Sequence, residues 1–480
     1  MALRIHHLQR LQSLQSLARS QTPRTFSYTA RYVHQSSRQN VSLPTSSPVT
    51  ASSQILNTQT APHEASTKAV LGRLPTSTVL RSYLITAMSS SPVLLSLCFG
   101  ILRRMLDSKS YFMSVEHNPV LATLLKKTFY AQFCVGEQKE EVVRNSEFAR
   151  NVLGYGGVYY EYALEVLAGG EATAEETKQE IEVWRKGMLK SVDMAMDGDF
   201  VGLKWSGLGR HALHLLQKQQ DPTPEMLAAM TAACDAAAAK GVTLLPGAEE
   251  EITNIGIEKW TLALQKKYNA PEHGRALLYI TYQCYLRGIS QRMAQHLEIA
   301  SKEGYIAGVK LVRGAYLTYE PKELTFDNKE STDANYDACL DAAVQQQWTD
   351  KIPSPSPNTP FPPVNIVLAT HNLASVQRAK QIRASQMLTT APEKLPRLTY
   401  AQLQGMADEI SQSLVLDPTM KADKQAKVVK CMTWGTTTEC LNFLLRRASE
   451  NKEAALRTVD TRKAMGAELW RRTKGVFGLA

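Results

Sequence analysis

Seven short apolar runs, separated by stretches with helical periodicity, restrict the fold of this 480-residue chain more than any other feature of its sequence. The runs lie at residues 200–203, 242–245, 277–282, 309–312, 364–369, 398–403 and 428–432. Strands that alternate with helices form a parallel sheet covered by helices on the outside. We therefore predict an α/β protein with a (β/α)₈ TIM-type barrel, to which a doubly wound open sheet is the alternative. No Gly-x-Gly-x-x-Gly motif follows any run, so a Rossmann dinucleotide site has no support.

The residues before 199 differ from the barrel segment in composition and divide into two parts. Residues 1–65 hold six arginines before the first acidic residue, Glu64, among many serines, threonines and glutamines. This composition is typical of a mitochondrial transit peptide, so we interpret residues 1–65 as a disordered targeting segment. Residues 66–198 are predicted to form a helical N-terminal arm, and residues 199–465 the barrel domain.

An uncharged stretch, residues 82–102, lies within the predicted arm and is followed by Arg103 and Arg104. Its length would allow it to span a bilayer, but a Ser-Ser-Ser-Pro sequence at residues 89–92 interrupts it. We therefore favour a helical arm over a transmembrane helix. An apolar helix with a basic end also suits the surface of a membrane, which leaves peripheral contact open.

Charge and cysteine content exclude several classes of function. The formal net charge is +10, but residues 1–40 contribute six of these charges, and no basic stripe with interleaved aromatic residues follows. Binding to nucleic acid is therefore not expected. The seven cysteines include no Cys-x-x-Cys pair, which fits reduced thiols and argues against a zinc site.

Polar side chains stand at the carboxyl ends of several predicted strands, where a barrel of this kind has its active site. They are Lys204, Gln283, Arg313, Tyr316, Thr370, His371, Asn372 and Gln402, with Leu403 beside the last of them. Lys310 and Arg313 place two cations near the end of one strand, and Gly314 then lets a ligand approach the backbone closely. This combination suits a flat anionic ligand.

The last predicted helix of the barrel, residues 438–453, places Phe443, Arg446, Arg447 and Glu450 within one narrow arc. Two adjacent guanidinium groups repel each other unless an anion lies between them, and arginine suits bidentate recognition of a carboxylate or phosphate. Glu450 is spaced to orient both arginines. A solvated helix face with ordinary ion pairs is the alternative.

The sequence offers no convincing nucleophile or metal site. It contains no Gly-x-Ser-x-Gly elbow, no Ser-His-acid order and no cluster with metal-ligand spacing. An anion site without either group suggests that a bound organic cofactor supplies the chemistry.

Six ordered sequence blocks make the chain resemble the proline dehydrogenase family, the FAD-dependent enzymes of mitochondrial proline catabolism. The blocks are Leu-Lys-Trp-Ser at 203–206, Thr-Tyr-Gln-Cys-Tyr-Leu at 281–286, Lys-Leu-Val-Arg-Gly-Ala-Tyr-Leu at 310–317, Ala-Thr-His-Asn at 369–372, Gln-Leu-Gln-Gly-Met at 402–406 and Leu-Arg-Arg-Ala-Ser-Glu-Asn at 445–451. Any single block would be weak, but the six follow the family's order.

The resemblance implies a distorted (β/α)₈ barrel with FAD at the carboxyl ends of the strands. The implied cofactor site comprises Gln283, Lys310, Arg313, Gly314, Ala315, Thr332, Thr370, His371, Asn372, Gln402, Arg447 and Glu450. The implied catalytic residues are Lys204, Arg446, Arg447 and Glu450. The implied substrate pocket comprises Lys204, Tyr316, Leu403, Cys431, Phe443, Arg446 and Arg447.

The resemblance also implies a reaction and a location. Arg446 and Arg447 would clamp the carboxylate of L-proline, and Lys310 would lie near the flavin N5, where bacterial members carry Arg. A hydride would pass from proline C5 to flavin N5 and give Δ1-pyrroline-5-carboxylate. The electrons would then pass to ubiquinone in the inner mitochondrial membrane, with which the protein would make peripheral contact on the matrix side.

Three positions depart from the family pattern. Gly247 stands where most members have Asp, and Cys431 and Phe443 stand where Tyr is common. These departures remove polar groups from the substrate pocket, which we interpret first as a wider or differently tuned pocket. The alternatives are a related flavin barrel that oxidises hydroxyproline or a folate, and a non-catalytic binding module with the same fold.

Overall fold

A computed structural model of the chain describes residues 70–108, 110, 112–115, 117–163, 171–450 and 458–478, with the side chains of 449 and 450 excepted. The predicted targeting segment, residues 1–65, lies outside the described residues and stays a prediction.

The described residues contain nine strands and sixteen α-helices. The strands are β1 (Cys134–Gly136), β2 (Gly157–Tyr162), β3 (Phe200–Leu203), β4 (Thr243–Pro246), β5 (Ile280–Gln283), β6 (Ala307–Val312), β7 (Val364–Ala369), β8 (Leu398–Leu403) and β9 (Ala426–Trp434). The helices before β5 are α1 (Thr76–Ser89), α2 (Pro92–Asp107), α3 (Pro119–Leu125), α4 (Ala131–Phe133), α5 (Lys139–Asn151), α6 (Ala174–Met194), α7 (Arg210–Gln217), α8 (Pro224–Lys240) and α9 (Glu251–Tyr268). The later helices are α10 (Ile289–Glu303), α11 (Lys329–Gln345), α12 (Leu373–Thr389), α13 (Asp408–Leu416), α14 (Pro418–Ala422), α15 (Thr437–Glu450) and α16 (Val459–Val476).

Eight parallel strands, β2 to β9, follow one another around a barrel. Their hydrogen-bonded order is β4-β3-β2-β9-β8-β7-β6-β5, and a parallel bridge between Leu244 and Leu278 joins β4 to the residues before β5. The short β1 pairs with β9 near its carboxyl end. The predicted α/β barrel is therefore confirmed, and the open doubly wound sheet is excluded.

Each strand packs on two apolar layers, as parallel strands covered by helices must. Alternate residues such as Tyr159, Phe200, Leu245, Val367 and Val429 form a cluster that contains no residue of an α-helix and fills the barrel interior. The intervening residues join a larger cluster that lies between the sheet and the outer helices. The interior is thus a packed core with its opening at the strand ends.

The barrel begins earlier in the chain than predicted. Strand β2 pairs with β3 and β9, and it lies within residues 66–198, which sequence analysis assigned to a helical arm. The predicted barrel start at residue 199 is therefore too late. The run Gly-Val-Tyr-Tyr-Glu-Tyr of β2 is rich in strand-forming aromatic residues, but its glutamate interrupts the apolar run on which the prediction depended.

The uncharged stretch at residues 82–102 is divided between α1 and α2, which meet at the serines that interrupt it. In the described part of the chain no single helix has the length and hydropathy to cross a bilayer, although α1 and α2 pass that test as a pair bent by 104°. At the other end of the chain, α16 packs against α1 through Met465 and Tyr83. The arm and the C-terminal helix thus support each other.

Candidate active site

The predicted polar residues lie at one end of the barrel because parallel strands all finish there. Lys204 follows β3, Gln283 ends β5, Thr370 follows β7, and Gln402 precedes the last residue of β8. Together these residues form the mouth of the barrel. Each side chain has its own set of contacts there.

Lys310 lies in β6 and points into the barrel, where only 6% of its surface is exposed. Its Nζ donates a hydrogen bond to the Tyr159 hydroxyl at 3.0 Å and lies 5.0 Å from the centre of that ring. Burial lowers the pKa of Lys310, and the nearby Glu161 carboxylate opposes this shift. A cation is therefore held in the barrel interior by side chains of β2.

Glu161, which sequence analysis did not select, provides a carboxylate at the barrel mouth. Burial raises its pKa, and the charges of Lys310, Lys204 and Arg447 oppose the rise. The adjacent Gly202 leaves room for it, because a Cβ there would collide with the Glu161 carboxylate. The signal for Glu161 was its spacing of two residues from Tyr159, which puts both on one face of a strand.

Arg447 connects the helix α15 to the segment after β6. Its Nη1 donates a hydrogen bond to the Tyr316 hydroxyl at 2.8 Å, and its guanidinium lies 5.6 Å from the Tyr316 ring centre and 5.5 Å from that of Phe443. Tyr316 is itself buried, while Arg446 beside it in sequence on α15 is half-buried. The side chain of Glu450 lies outside the described residues, so its predicted role stays a prediction.

The apolar side of α15 fixes the helix to the arm. Leu441 packs in a cluster with Leu102 of α2 and Leu125 of α3, and Leu445 packs at its edge. The apolar side of α15 thus faces the arm as predicted, but Phe443, which was predicted on the arginine side, packs with Leu444 against a neighbouring apolar cluster. The helix α15 therefore connects the N-terminal arm to Arg446 and Arg447.

Gly314 is required by its backbone and by its neighbour. Its φ is +121°, and a Cβ at this position would overlap the Tyr285 ring. The Tyr285 hydroxyl lies within hydrogen-bond distance of two acceptors, Glu320 Oε1 at 3.1 Å and Gln283 Oε1 at 3.3 Å, and its one proton can serve either. The Tyr285 ring thus occupies the side of Gly314 where a Cβ would stand, and the half-buried Ala315 follows.

Arg313 is tied to the outer helices. Its Nε donates to Asp333 Oδ1 at 2.6 Å, its Nη1 to Thr370 Oγ1 at 2.8 Å and its Nη2 to Ser375 Oγ at 3.0 Å. Asn372 caps α12 by accepting a hydrogen bond from the Ser375 N–H. Arg313 therefore joins β6 to α11 and α12. In the first turn of α11, Thr332 donates to the Asn328 carbonyl at 3.3 Å.

His371 and Gln402 hold the ends of β7 and β8 together. The Leu403 N–H donates to His371 Nε2 at 3.1 Å, which places the proton of a neutral imidazole on Nδ1. Gln402 is buried, and its Nε2 donates to the Thr370 carbonyl at 3.2 Å. These contacts are internal to the protein and shape the rim.

The three positions that depart from the family pattern have different surroundings. A Cβ at Gly247 would make ordinary van der Waals contacts, with the Leu203 carbonyl oxygen at 3.5 Å and with Lys204 Cγ at 3.7 Å, so a side chain could be placed there. Cys431 is half-buried beside the interior cluster, and burial raises the pKa of its thiol. Phe443 lies against Arg447 without offering a hydroxyl.

Within the described ranges no group of three or more His, Cys, Asp or Glu could hold a metal ion. The seven cysteines, all of which the structure describes, are free thiols.

An α/β barrel with polar side chains gathered at the carboxyl ends of its strands has the architecture in which such barrels place their active sites. The model of the proline dehydrogenase family matches residues 143–459, which is more than half of the chain. The chain belongs to the proline dehydrogenase family.

Curated relatives carry two kinds of name. The chain is 31% identical over 248 residues to mouse "Hydroxyproline dehydrogenase", covering 50% of this chain and 50% of the relative. It is 31% identical over 241 residues to "Proline dehydrogenase 1, mitochondrial" of Caenorhabditis elegans (48% of this chain, 36% of the relative). It is 30% identical over 257 residues to the human protein of the same name (52% and 39%). The chain thus spans half or less of the length of these relatives.

A solved structure agrees on the fold. Proline utilization A from Bdellovibrio bacteriovorus, inactivated by N-propargylglycine, superposes with a TM-score of 0.56 at 18% identity. The match covers 80% of this chain and 41% of the other. At this identity the likeness establishes the barrel and carries no residue roles.

Proposed function

We propose that the chain is an FAD-dependent dehydrogenase that oxidises L-proline to Δ1-pyrroline-5-carboxylate and passes the electrons to ubiquinone. The observation that carries the proposal is the hydrogen bond of 2.8 Å from Arg447 to Tyr316. It brings the arginine side of α15 to the segment after β6, the strand that contains Lys310. A carboxylate site and a cofactor site would then meet at the barrel mouth.

The side chains present fit FAD by their chemistry. The buried ammonium of Lys310 and the buried amides of Gln283 and Gln402 suit a flat ring with an anionic reduced form. The residues that would hold it are Gln283, Lys310, Arg313, Gly314, Ala315, Thr332, Thr370, His371, Asn372, Gln402, Arg447 and Glu450. When bound, FAD supplies the acceptor for the hydride from proline C5 and the route of electrons to ubiquinone.

The protein's own contribution is orientation and charge. Arg446 and Arg447 would bind the proline carboxylate from one side, and Lys204 would add a third cation, so that the ring is held in one position. Tyr316 and Phe443 flank the Arg447 guanidinium and fix its plane. Lys310 would stabilise the negative charge that develops during the reaction.

The proposed location is the mitochondrion, on the matrix side of the inner membrane with peripheral contact. Two features support it: the arginine-rich, acid-poor residues 1–65 and the mitochondrial names of relatives from several organisms. Ubiquinone as acceptor would require the barrel mouth to lie close to the membrane.

A visible absorption spectrum before and after anaerobic addition of L-proline tests the proposal. We expect flavin bands in the purified protein and their bleaching by L-proline, with D-proline as the matched control ligand. A colourless protein would favour the non-catalytic binding module instead. Flavin bands that L-proline leaves unchanged would keep the cofactor and exclude this substrate.

Hydroxyproline is the second candidate substrate, and Cys431 is the observation that favours it. Its side chain is smaller than the tyrosine that the family commonly has there, and it is half-buried near Lys310 and Glu161. The relatives named for the two substrates are about equally similar to this chain. A comparison of kcat/KM for L-proline and for trans-4-hydroxy-L-proline decides between the two substrates. We expect Cys431→Tyr to lower kcat/KM for hydroxyproline relative to that for proline.

A further inference from the structure

Helix α2 is apolar on two opposite sides, and protein covers one of them. Leu95 and Leu102 are buried on the inner side. On the outer side Val93, Leu97 and Ile101 follow one another at intervals of four residues, and they are 77%, 59% and 44% exposed. A helix that is apolar all round normally has all of its sides buried in protein or lipid. The apolar side chains on the outer side of α2 are therefore exposed, although a helix of this composition is normally buried on all sides.

The next helix shows the same arrangement. On α3, Val120 and Leu124 are 78% and 58% exposed and four residues apart, and the exposed Lys127 continues their row. Between the two helices Phe112 is exposed as well. These outward apolar residues of α2, α3 and their connection are called the arm surface below. Scattered exposed leucines need no explanation, but repeated outward rows on consecutive helices do.

The charge of the arm surface identifies its partner. Lys127 is exposed just after α3, whereas its neighbour Lys126 is paired with Glu137 and Glu141. Arg103 and Arg104 are exposed at the end of α2, next to the apolar row. Apolar rows that end in cations match the boundary of a bilayer with anionic headgroups.

We propose that the arm surface docks the protein onto a membrane containing anionic phospholipid, with α2 and α3 lying in the plane of the interface. The bend of 104° between α1 and α2 suits this surface position, because no single described helix could cross the bilayer. The apolar rows would enter the headgroup boundary, and Arg103, Arg104 and Lys127 would pair with phosphates.

The arm surface lies directly behind the arginine helix. The inner side of α2 packs on α15 through Leu102 and Leu441, with Cys98 and Leu445 at the edge of the same cluster. A membrane against α2 would therefore be one helix layer away from Arg446 and Arg447. Resting on the proposed function, this placement explains how electrons would reach a quinone that stays in the bilayer.

Vesicle co-sedimentation of the purified full-length holoenzyme tests the surface. We expect binding to phosphatidylcholine vesicles that contain cardiolipin and weak binding to phosphatidylcholine alone. The variant Leu97→Glu/Ile101→Glu should bind the cardiolipin vesicles about tenfold more weakly or worse. Leu388→Glu, at an exposed leucine of α12, is the matched control and should bind like the wild type. Arg103→Glu/Arg104→Glu should abolish the preference for cardiolipin.

Other outcomes would overturn the proposal. They include absence of binding to either vesicle, as expected if residues 1–69 cover the arm surface, and equal loss in Leu97→Glu/Ile101→Glu and Leu388→Glu. A dimer that Leu97→Glu/Ile101→Glu converts to a monomer, with vesicle binding unchanged, would assign the surface to a second copy of the chain. Retention in the vesicle pellet after alkaline carbonate would show insertion instead of docking.

Flavin reduction by proline, measured with a soluble dye as acceptor, separates this proposal from the proposed function. The arm variants should retain that activity, because the substituted side chains face away from the barrel. Loss of vesicle binding by the wild type with dye activity intact would refute the docking surface alone. Vesicle binding by a protein without flavin would refute the proposed function alone.

Discussion

Two cations three residues apart, Lys310 within β6 and Arg313 just after its end, have different surroundings. At the rim, Arg313 is matched by the Asp333 carboxylate and by hydroxyl groups of Thr370 and Ser375. In the interior, Lys310 donates to the Tyr159 hydroxyl, and the carboxylate beside it, Glu161, is shared with other cations. The rim cation is compensated by protein, whereas the interior cation shares its counter-charge.

The carboxylates of the two regions respond accordingly. Burial acts to raise the pKa of Asp333, but hydrogen bonds from Lys329 and Arg313 lower it overall. Burial raises the pKa of Glu161 despite the surrounding cations. A rim carboxylate that is held ionised stabilises the fold. An interior with one carboxylate near several cations favours binding of a further anion, which is the role we propose for substrate and cofactor.

Replacing Lys310 should produce the largest effect of all. Lys310→Met keeps a long apolar stem in the barrel but removes the charge that would stabilise the developing anion. We expect kcat/KM for proline to fall by about 100- to 1,000-fold, or about 2.7 to 4 kcal/mol, as for the loss of a preorganised donor. Steady-state kinetics measure it, with Lys302→Met on α10 as control. Near-normal kcat/KM in Lys310→Met would remove the distinction between interior and rim.

The arginine pair should show the next largest effect. A lysine keeps the charge but not the planar fork that binds a carboxylate at two points, so Arg446→Lys and Arg447→Lys are not conservative. Each should raise the Michaelis constant for proline at least about tenfold, on the order of 1.4 kcal/mol. Arg462→Lys on α16, where Nη1 donates to Ser90 Oγ, is the control. An unchanged constant in the pair would contradict the carboxylate clamp.

The sequence predicted the barrel well because its signals are local. The strands β3, β7 and β8 have the predicted bounds, since each is an unbroken apolar run between helical stretches. The first strand of the barrel, β2, was not predicted, because Glu161 interrupts its apolar pattern and its partner β9 is remote in the chain. Pairing between distant strands leaves no mark in a single sequence.

The candidate site was predicted in position but not in internal contacts. The carboxyl ends of the strands and the arginine side of α15 followed from periodicity alone. The division between Arg313 and Lys310 did not, because it depends on Asp333 and Ser375, which come from two helices later in the chain. Tertiary packing decides that Arg313 meets the Asp333 carboxylate, whereas Lys310 meets the Tyr159 hydroxyl and shares Glu161 with other cations.

Removing the rim carboxylate should affect stability. Asp333→Asn takes the charge from the hydrogen bond to Arg313 in a site where both side chains are mostly buried, so we expect about 1 to 2 kcal/mol lower free energy of unfolding. Urea denaturation measures it. Asp341→Asn on the same helix, whose partner Arg378 is half exposed, should cost less than about 0.5 kcal/mol. If Asp333→Asn and Asp341→Asn lowered the free energy of unfolding equally, the ion pair at the rim would have no special structural role.

The smallest and most discriminating effect is in the pH dependence of stability. The pKa of Asp333 is lowered from 3.8, so its ionised carboxylate stabilises the fold above that pH, and this contribution to the free energy of unfolding is lost as the pH falls. The loss of unfolding free energy caused by Asp333→Asn should therefore become smaller on acidification.

For Glu161, whose pKa is raised from 4.5, the protonated form is favoured in the fold, and this stability is lost as pH rises above 4.5. The free energy of unfolding of Glu161→Gln should therefore increase relative to that of the wild type as the pH rises. Urea denaturation of both variants across the acid range gives the two slopes. Slopes of the same sign would mean that interior and rim carboxylates lie in equivalent surroundings, and the contrast between Lys310 and Arg313 would then have no electrostatic basis.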